Sequence, residues 1–133
     1  LARMRTEADS KRYDSARVSA AEAVAAAERA ISEGRAGVAR ARQEASDIIG
    51  TLGPAITETA QGIGAAKSAG LDLEFGSIDR EFNSARNNAD QAEAALVQDK
   101  CQDAIDKGRA ARAGLNSINQ RLADAAMSST RKK

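Results

Sequence analysis

Apolar residues in the second half of this chain recur at alternating intervals of three and four, and this spacing constrains the fold more than any other feature. One run comprises Phe75, Ile78, Phe82, Ala85, Ala89, Ala92 and Leu96. A second run comprises Cys101, Ala104, Gly108, Ala111, Leu115, Ile118, Leu122 and Ala125. Such spacing places each run on one stripe of an α-helix. The pattern therefore predicts two antiparallel helices joined by a tight turn at 98–100, where Asp99 would cap the start of the second helix with Gln102 as its reciprocal partner.

The first half of the chain has the same form. One stripe comprises Tyr13, Ala16, Ala20, Val24, Ala27 and Ile31. Another begins with Val38, Ala41, Ala45, Ile48 and Leu52. Between these stripes, Ser32, Glu33 and Gly34 predict a turn, because glycine readily adopts the left-handed conformation that ends helices. We expect a kink or break near Pro54, a helix end at Gly70 and a helix cap at Asp72.

These patterns predict an all-α protein, an antiparallel up-down-up-down four-helix bundle made of two helical hairpins. The expected helices span residues 3–33, 35–69, 72–98 and 100–128. They form a single helical domain over 1–133, with hairpin 1 at about 3–69, hairpin 2 at about 72–128 and a flexible tail at 129–133. Hydrophobic residues make up 42% of the chain but aromatic ones only 2%. The core must therefore consist of helices whose backbones lie close together with small side chains between them, because few bulky side chains are present to fill it. The bulky residues expected to be buried together are Phe75, Ile78, Phe82, Leu96, Leu115, Ile118 and Leu122.

The residue inventory argues against several classes of function. A net charge of +1 provides no field to hold nucleic acid, and no apolar run is long enough for a transmembrane segment. The absence of histidine removes the commonest general base and most metal sites of helical bundles. We therefore expect no catalytic, cofactor-binding or metal-binding residues, and interpret the lone Cys101 as a small core residue. Since the chain begins with Leu1 rather than Met, we expect a trimmed or processed fragment, which leaves open whether an export signal or lipid anchor preceded it.

The segment Ala92–Ala111 resembles a tetratricopeptide-type hairpin. Three positions that are small in that family, so that paired helices approach closely, hold Ala92, Ala104 and Ala111. The sequence departs from the family where aromatic residues and a closing proline are usual, at Asn88, Ala95, Gly108 and Asn116. The chain is more similar to the divergent hairpin domains of bacterial envelope lipoproteins, spirochaetal ones among them. This resemblance implies a binding or scaffolding role in the periplasm or cell envelope, and it assigns no functional residue.

One segment stands out as a candidate partner surface. Between Ile48 and Ala66 the only charged residue is Glu58, whereas an ordinary exposed helix face carries several charges. The residues expected on its outer face are Ile49, Ala55, Thr59 and Ala66. We interpret the chain as a non-enzymatic protein–protein interaction or scaffold module that binds another protein or a second copy by helix–helix contact. A small-ligand-binding helical bundle is the alternative, and an enzyme using carboxylates alone is a third class.

Overall fold

The computed structural model describes residues 2–131, with side chains from residue 9 onward, and within that range the chain is all-helical. Helix α1 spans Ala2–Ser68, α2 spans Phe75–Val97 and α3 spans Cys101–Arg131. The contacts divide the chain into two units, a first that ends at Ala39 and a second that begins at Arg40. Helix α1 contributes to both units.

The predicted turn at Ser32–Gly34 is wrong, because α1 continues through these residues. Three helices are therefore found in the described residues where four were expected. Gly34 lies in a stretch rich in alanine, the strongest helix former, and a glycine inside a helix costs only about 1 kcal/mol relative to alanine. Among the described glycines only Gly70 has a positive φ, so Gly34 does not adopt the left-handed conformation on which the prediction depended.

Pro54 also lies inside α1 and does not break it. A proline lacks the N–H that would bond to the carbonyl four residues earlier, so one intrahelical hydrogen bond is not made. The neighbouring turns are held by tertiary packing, since Leu52 and Thr59 on either side of the proline are both buried. Packing of the buried face outweighs the local cost of the proline.

Gly70 ends α1 as predicted, with a φ of 66°. The N–H of Gly70 donates to the Lys67 carbonyl at 3.2 Å, and the N–H of Leu71 donates to the Ala66 carbonyl at 3.1 Å. This pair of bonds is the Schellman arrangement, which satisfies the last carbonyls of a helix. The predicted cap at Asp72 is wrong, because α2 begins at Phe75 with Glu74 at the cap position and no side-chain cap bond.

The turn between α2 and α3 lies where the sequence predicted it, but its chemistry differs. Asp99 has a φ of 60° and occupies the position that glycine usually takes after a helix. Its N–H donates to the Leu96 carbonyl at 3.0 Å, and that of Lys100 donates to the Ala95 carbonyl at 2.9 Å. Asp99 thus ends α2 instead of capping α3. Helix α3 extends to Arg131, beyond the predicted 128, and the last two residues of the expected tail lie outside the described residues.

The core of the second unit consists of three apolar clusters between α2, α3 and the part of α1 from Ala41 onward. The cluster near the α2–α3 turn is built on Ala45, Ala104 and Ile105. The middle cluster is built on Leu52, Ala89 and Ala111, and the cluster at the far end on Ile63, Ile78 and Ile118. Alanine at many of these positions lets the backbones approach closely, as the composition indicated.

The seven bulky residues expected in one core are divided between these clusters. Ile78, Leu115 and Ile118 are fully buried. Phe75, Phe82 and Leu122 are only partly buried, and they pack around the far-end cluster. Leu96 instead packs at the opposite end of the hairpin, beside the α2–α3 turn. The seven residues therefore do not form one core, because Leu96 packs at one end of the hairpin and Phe75, Phe82 and Leu122 pack at the other.

Candidate interaction surfaces

The structure does not place the four candidate partner residues on an outer face. Thr59 is 0% exposed and Ala66 is 4% exposed, so both belong to the interior of the second unit. Ile49 is partly buried against the cluster built on Ala45, and Ala55 is partly buried as well. The outward placement is wrong for Thr59 and Ala66, because α1 packs against two helices here and buries a stripe wider than one heptad seam.

Thr59 has a polar partner inside this interface. Its hydroxyl donates to the Oδ1 atom of Asn119 on α3 at 3.1 Å. A buried hydroxyl is costly unless it forms such a bond. The contact therefore fixes the register between α1 and α3 at a point where neighbouring layers are purely apolar.

We predict that Thr59→Val lowers the free energy of unfolding by about 0.5–1 kcal/mol, because valine keeps the shape but removes the hydrogen bond. Urea denaturation of both proteins measures the change. Thr57→Val is the matched control, since the Thr57 hydroxyl lies on the exposed side and bonds only to the carbonyl of Gly53 in its own helix. An equal loss in both variants would mean that the contact with Asn119 does not contribute to stability.

A different part of α1 carries an exposed apolar stripe. Its bulky members are Tyr13, Val24, Ile31 and Val38, with exposures of 65, 57, 55 and 64%. Small residues lie between them on the same stripe, namely Ala20, Ala27 and Gly34. We call these seven residues the N-terminal stripe. Of residues 9–39, all are exposed except the partly buried Gly37, so within the first unit nothing covers the stripe.

Some charged residues of 9–39 lie beside this stripe, and none of them forms an ion pair with another described residue. Four ion pairs are found within the described residues, and all of them join residues of the second unit. Asp14 and Arg35 lie on one flank of the stripe, as does Glu28. This segment therefore presents both apolar side chains and uncompensated charges of both signs.

A groove between α1 and α3 is a second candidate site. It has a volume of about 710 Å³ and is lined by Arg40, Gln43, Glu44, Asp47, Ile48, Thr51, Arg109 and Arg112. Two of the arginines that could attract an anion in this region are already neutralised, Arg109 by Glu44 and Arg42 by Asp99. The groove has the size of a ligand site. Of the arginines that line it, Arg109 is paired with Glu44, whereas Arg40 and Arg112 form no ion pair with another described residue.

The described residues contain no group of three or more histidine, cysteine or acidic side chains that could hold a metal ion. Cys101 lies at the start of α3 and is partly buried.

Glu81 and Arg121 form an ion pair at 3.1 Å between α2 and α3, which joins the two helices. In the described part of the chain, no helix combines the length and apolarity needed to cross a membrane.

Comparison with known proteins identifies no relative of this chain. The chain matches no family model, no curated protein and no solved structure. The similarity to tetratricopeptide and lipoprotein hairpins therefore stays a prediction from the sequence. The surfaces of the molecule itself are the remaining guide to function, and the N-terminal stripe is the most exposed apolar one among the described residues.

Proposed function

We propose that the chain is a non-enzymatic protein–protein interaction or scaffold module that contacts its partner along the N-terminal stripe. The observation that carries this proposal is the exposure of four bulky apolar side chains on one helical segment. Contiguous exposed apolar surface is uncommon on isolated proteins and is typical of binding sites. The bacterial envelope setting that the sequence resemblance implies stays a prediction.

The pattern of the stripe supports a helical partner. Bulky and small residues alternate along it, as in faces through which helices pack side by side. Glycine and alanine lose no side-chain entropy when a partner covers them. The second unit is consistent with a scaffold role, because its three clusters form a core without any residue of 9–39.

A photoreactive benzophenone amino acid placed in the stripe tests the proposal. In the cells that make the protein, we expect illumination to give protein adducts when this residue replaces Val24 or Ile31. Close contact with a partner brings the benzophenone within reach of the partner's C–H bonds, and the adducts are identified by mass spectrometry. The matched controls are Glu22 and Arg29, which lie two residues earlier and so on the opposite side of the helix.

The two faces give distinguishable results. Adducts at Val24 and Ile31 that are absent at Glu22 and Arg29 support a contact surface on the stripe. The absence of adducts at all four positions, or equal yields on both faces, would overturn the proposal. Circular dichroism on each variant confirms that the helical content is unchanged.

A further inference from the structure

The N-terminal stripe has the layout of one half of a helix pair. In heptad terms, position a holds Arg17, Val24, Ile31 and Val38, and position d holds Tyr13, Ala20, Ala27 and Gly34. Apart from Arg17 and Tyr13 near its beginning, the bulky residues occupy one position and the small residues the other. A partner with the opposite arrangement would fill each layer with one bulky and one small side chain.

A second copy that runs in the opposite direction has this arrangement, because an antiparallel pair places position a of one helix in the same layer as position d of the other. With the symmetry axis between Ala25 and Ala26, the layers pair Val24 with Ala27, Ile31 with Ala20, Val38 with Tyr13, and Arg17 with Gly34. All members of the stripe are then covered. The glycine leaves room for the long Arg17 side chain, whose guanidinium lies 6.0 Å from the Tyr13 ring centroid.

Two of the three charges on the flank of the stripe, Asp14 and Arg35, match in the same register. Asp14 and Arg35 both occupy position e, and positions e of two antiparallel helices lie side by side. Within one helix these two residues are about 30 Å apart, so they cannot pair with each other in a single copy. In the antiparallel pair each Asp14 lies beside Arg35 of the other copy, which gives two ion pairs related by symmetry.

A parallel pair in register lacks this complementarity. It would place Arg17 against Arg17 of the other copy within the seam, where like charges repel. On the flanks, position g lies beside position e, so Asp9 would face Asp14. The remaining g positions of the segment, Ala16, Ala23, Ala30 and Gly37, carry no charge that could compensate.

Shifted antiparallel registers are also less favourable. A shift by one heptad places Glu28 beside Glu28 of the other copy. A shift by two heptads extends the overlap beyond residue 40, and in the second unit Ala45, the next position a after Val38, is already buried. The register centred between Ala25 and Ala26 keeps the whole overlap within residues 9–39, which are exposed.

We infer that the N-terminal stripe binds the same stripe of a second copy of this chain in antiparallel orientation, with Asp14 of each copy beside Arg35 of the other. This inference rests on the proposed function and names the partner at that surface. The small residues Ala20, Ala27 and Gly34 allow close approach, and the charges select orientation and register.

Disulfide trapping tests the orientation directly. In a Cys101→Ser background, Ala20→Cys and Ile31→Cys proteins are mixed and oxidised mildly. The antiparallel pair brings residue 20 of one copy next to residue 31 of the other, near the Cα separation of up to about 7 Å that a disulfide requires. Identical residues lie about 16 Å apart along the axis, so neither variant cross-links by itself.

Each result of this experiment is decisive. A cross-linked dimer in the mixture and not in the single variants supports the inference. Cross-linking of each variant with itself shows a parallel pair and overturns it. Cross-linking of Ile31→Cys with Ala27→Cys instead of Ala20→Cys shows a register shifted by one heptad, which also overturns it.

Sedimentation equilibrium adds a readout that the cysteines do not affect. Asp14→Arg and Arg35→Asp are each expected to weaken self-association by roughly 3- to 30-fold, and the double charge swap to restore it. A wild-type protein that stays monomeric at millimolar concentration would overturn the inference. If photoreactive residues at Val24 and Ile31 then still give adducts with another protein, the proposed function stands and only the identity of the partner is wrong.

Discussion

Replacing Ile118 by alanine is expected to lower the free energy of unfolding by about 2–5 kcal/mol. Ile118 is 0% exposed and forms the far-end cluster with Ile63 of α1 and Ile78 of α2, so this cluster joins all three helices. Truncation removes three carbon atoms from a site that neighbouring backbones cannot easily fill. The cost combines lost burial with the cavity that remains.

Urea denaturation followed by circular dichroism measures this loss, and Met127→Ala is its control. Met127 lies on the same helix but is largely exposed, so its truncation is expected to change stability by less than about 0.5 kcal/mol. If the two variants lose the same amount, the three helices are not packed through this cluster.

Gly108→Ala is expected to destabilise the protein by up to about 2 kcal/mol, although alanine is the better helix former. A Cβ atom at this position would lie 2.6 Å from Cγ2 of Ile48, a distance at which the Ile48 side chain or the helices must shift. Overpacking of this kind typically costs about 1–3 kcal/mol, against a gain of about 1 kcal/mol in helix propensity. The steric cost is the larger, so the sign of the change is unfavourable.

Two further variants test whether the steric contact is the cause. At Gly64, where an added Cβ atom would meet no neighbouring atom within 4 Å, alanine is expected to stabilise the protein by about 0.4–1 kcal/mol. In an Ile48→Ala background the clashing methyl group is gone, and Gly108→Ala should become neutral or stabilising. Thermal denaturation of these proteins measures the changes, and the same sign at both glycines would contradict a close contact at Gly108.

The second half of the fold could be predicted closely from the sequence, because its bulky residues recur in two unambiguous runs. The turn between α2 and α3 and the helix end at Gly70 were placed correctly. The two helix starts were less predictable. Asp72 and Asp99 resemble capping residues, yet Asp99 ends a helix with a positive φ and Asp72 precedes α2 by three residues. A polar residue in a turn can either cap the next helix or end the preceding one, and the backbone conformation determines which of these roles it has.

The continuity of α1 could have been found from a signal in the sequence. Val24, Ile31 and Val38 are each seven residues apart, and the same interval leads on to Ala45, Leu52, Thr59 and Ala66. A turn at Gly34 would interrupt such a repeat, whereas one uninterrupted helix maintains it. A glycine alone does not establish a helix end, because that conclusion needs a positive φ or a break in the periodicity.

The candidate surface was misplaced for a related reason. Thr59 and Ala66 continue the repeat of buried positions, although the segment Ile48–Ala66 carries little charge. Low charge follows equally from burial against two helices and from an exposed binding face. The exposed stripe around Ile31 could not be identified while residues 3–33 were expected to fold back onto the bundle.

All three apolar clusters lie in the second unit, and this has a consequence for how the sequence can change over evolutionary time. Substitutions at Val24 or Ile31 remove no contact from the three clusters, so selection on folding places little restriction on them. The segment 9–39 can therefore change in sequence without a loss of contacts in the three-helix core.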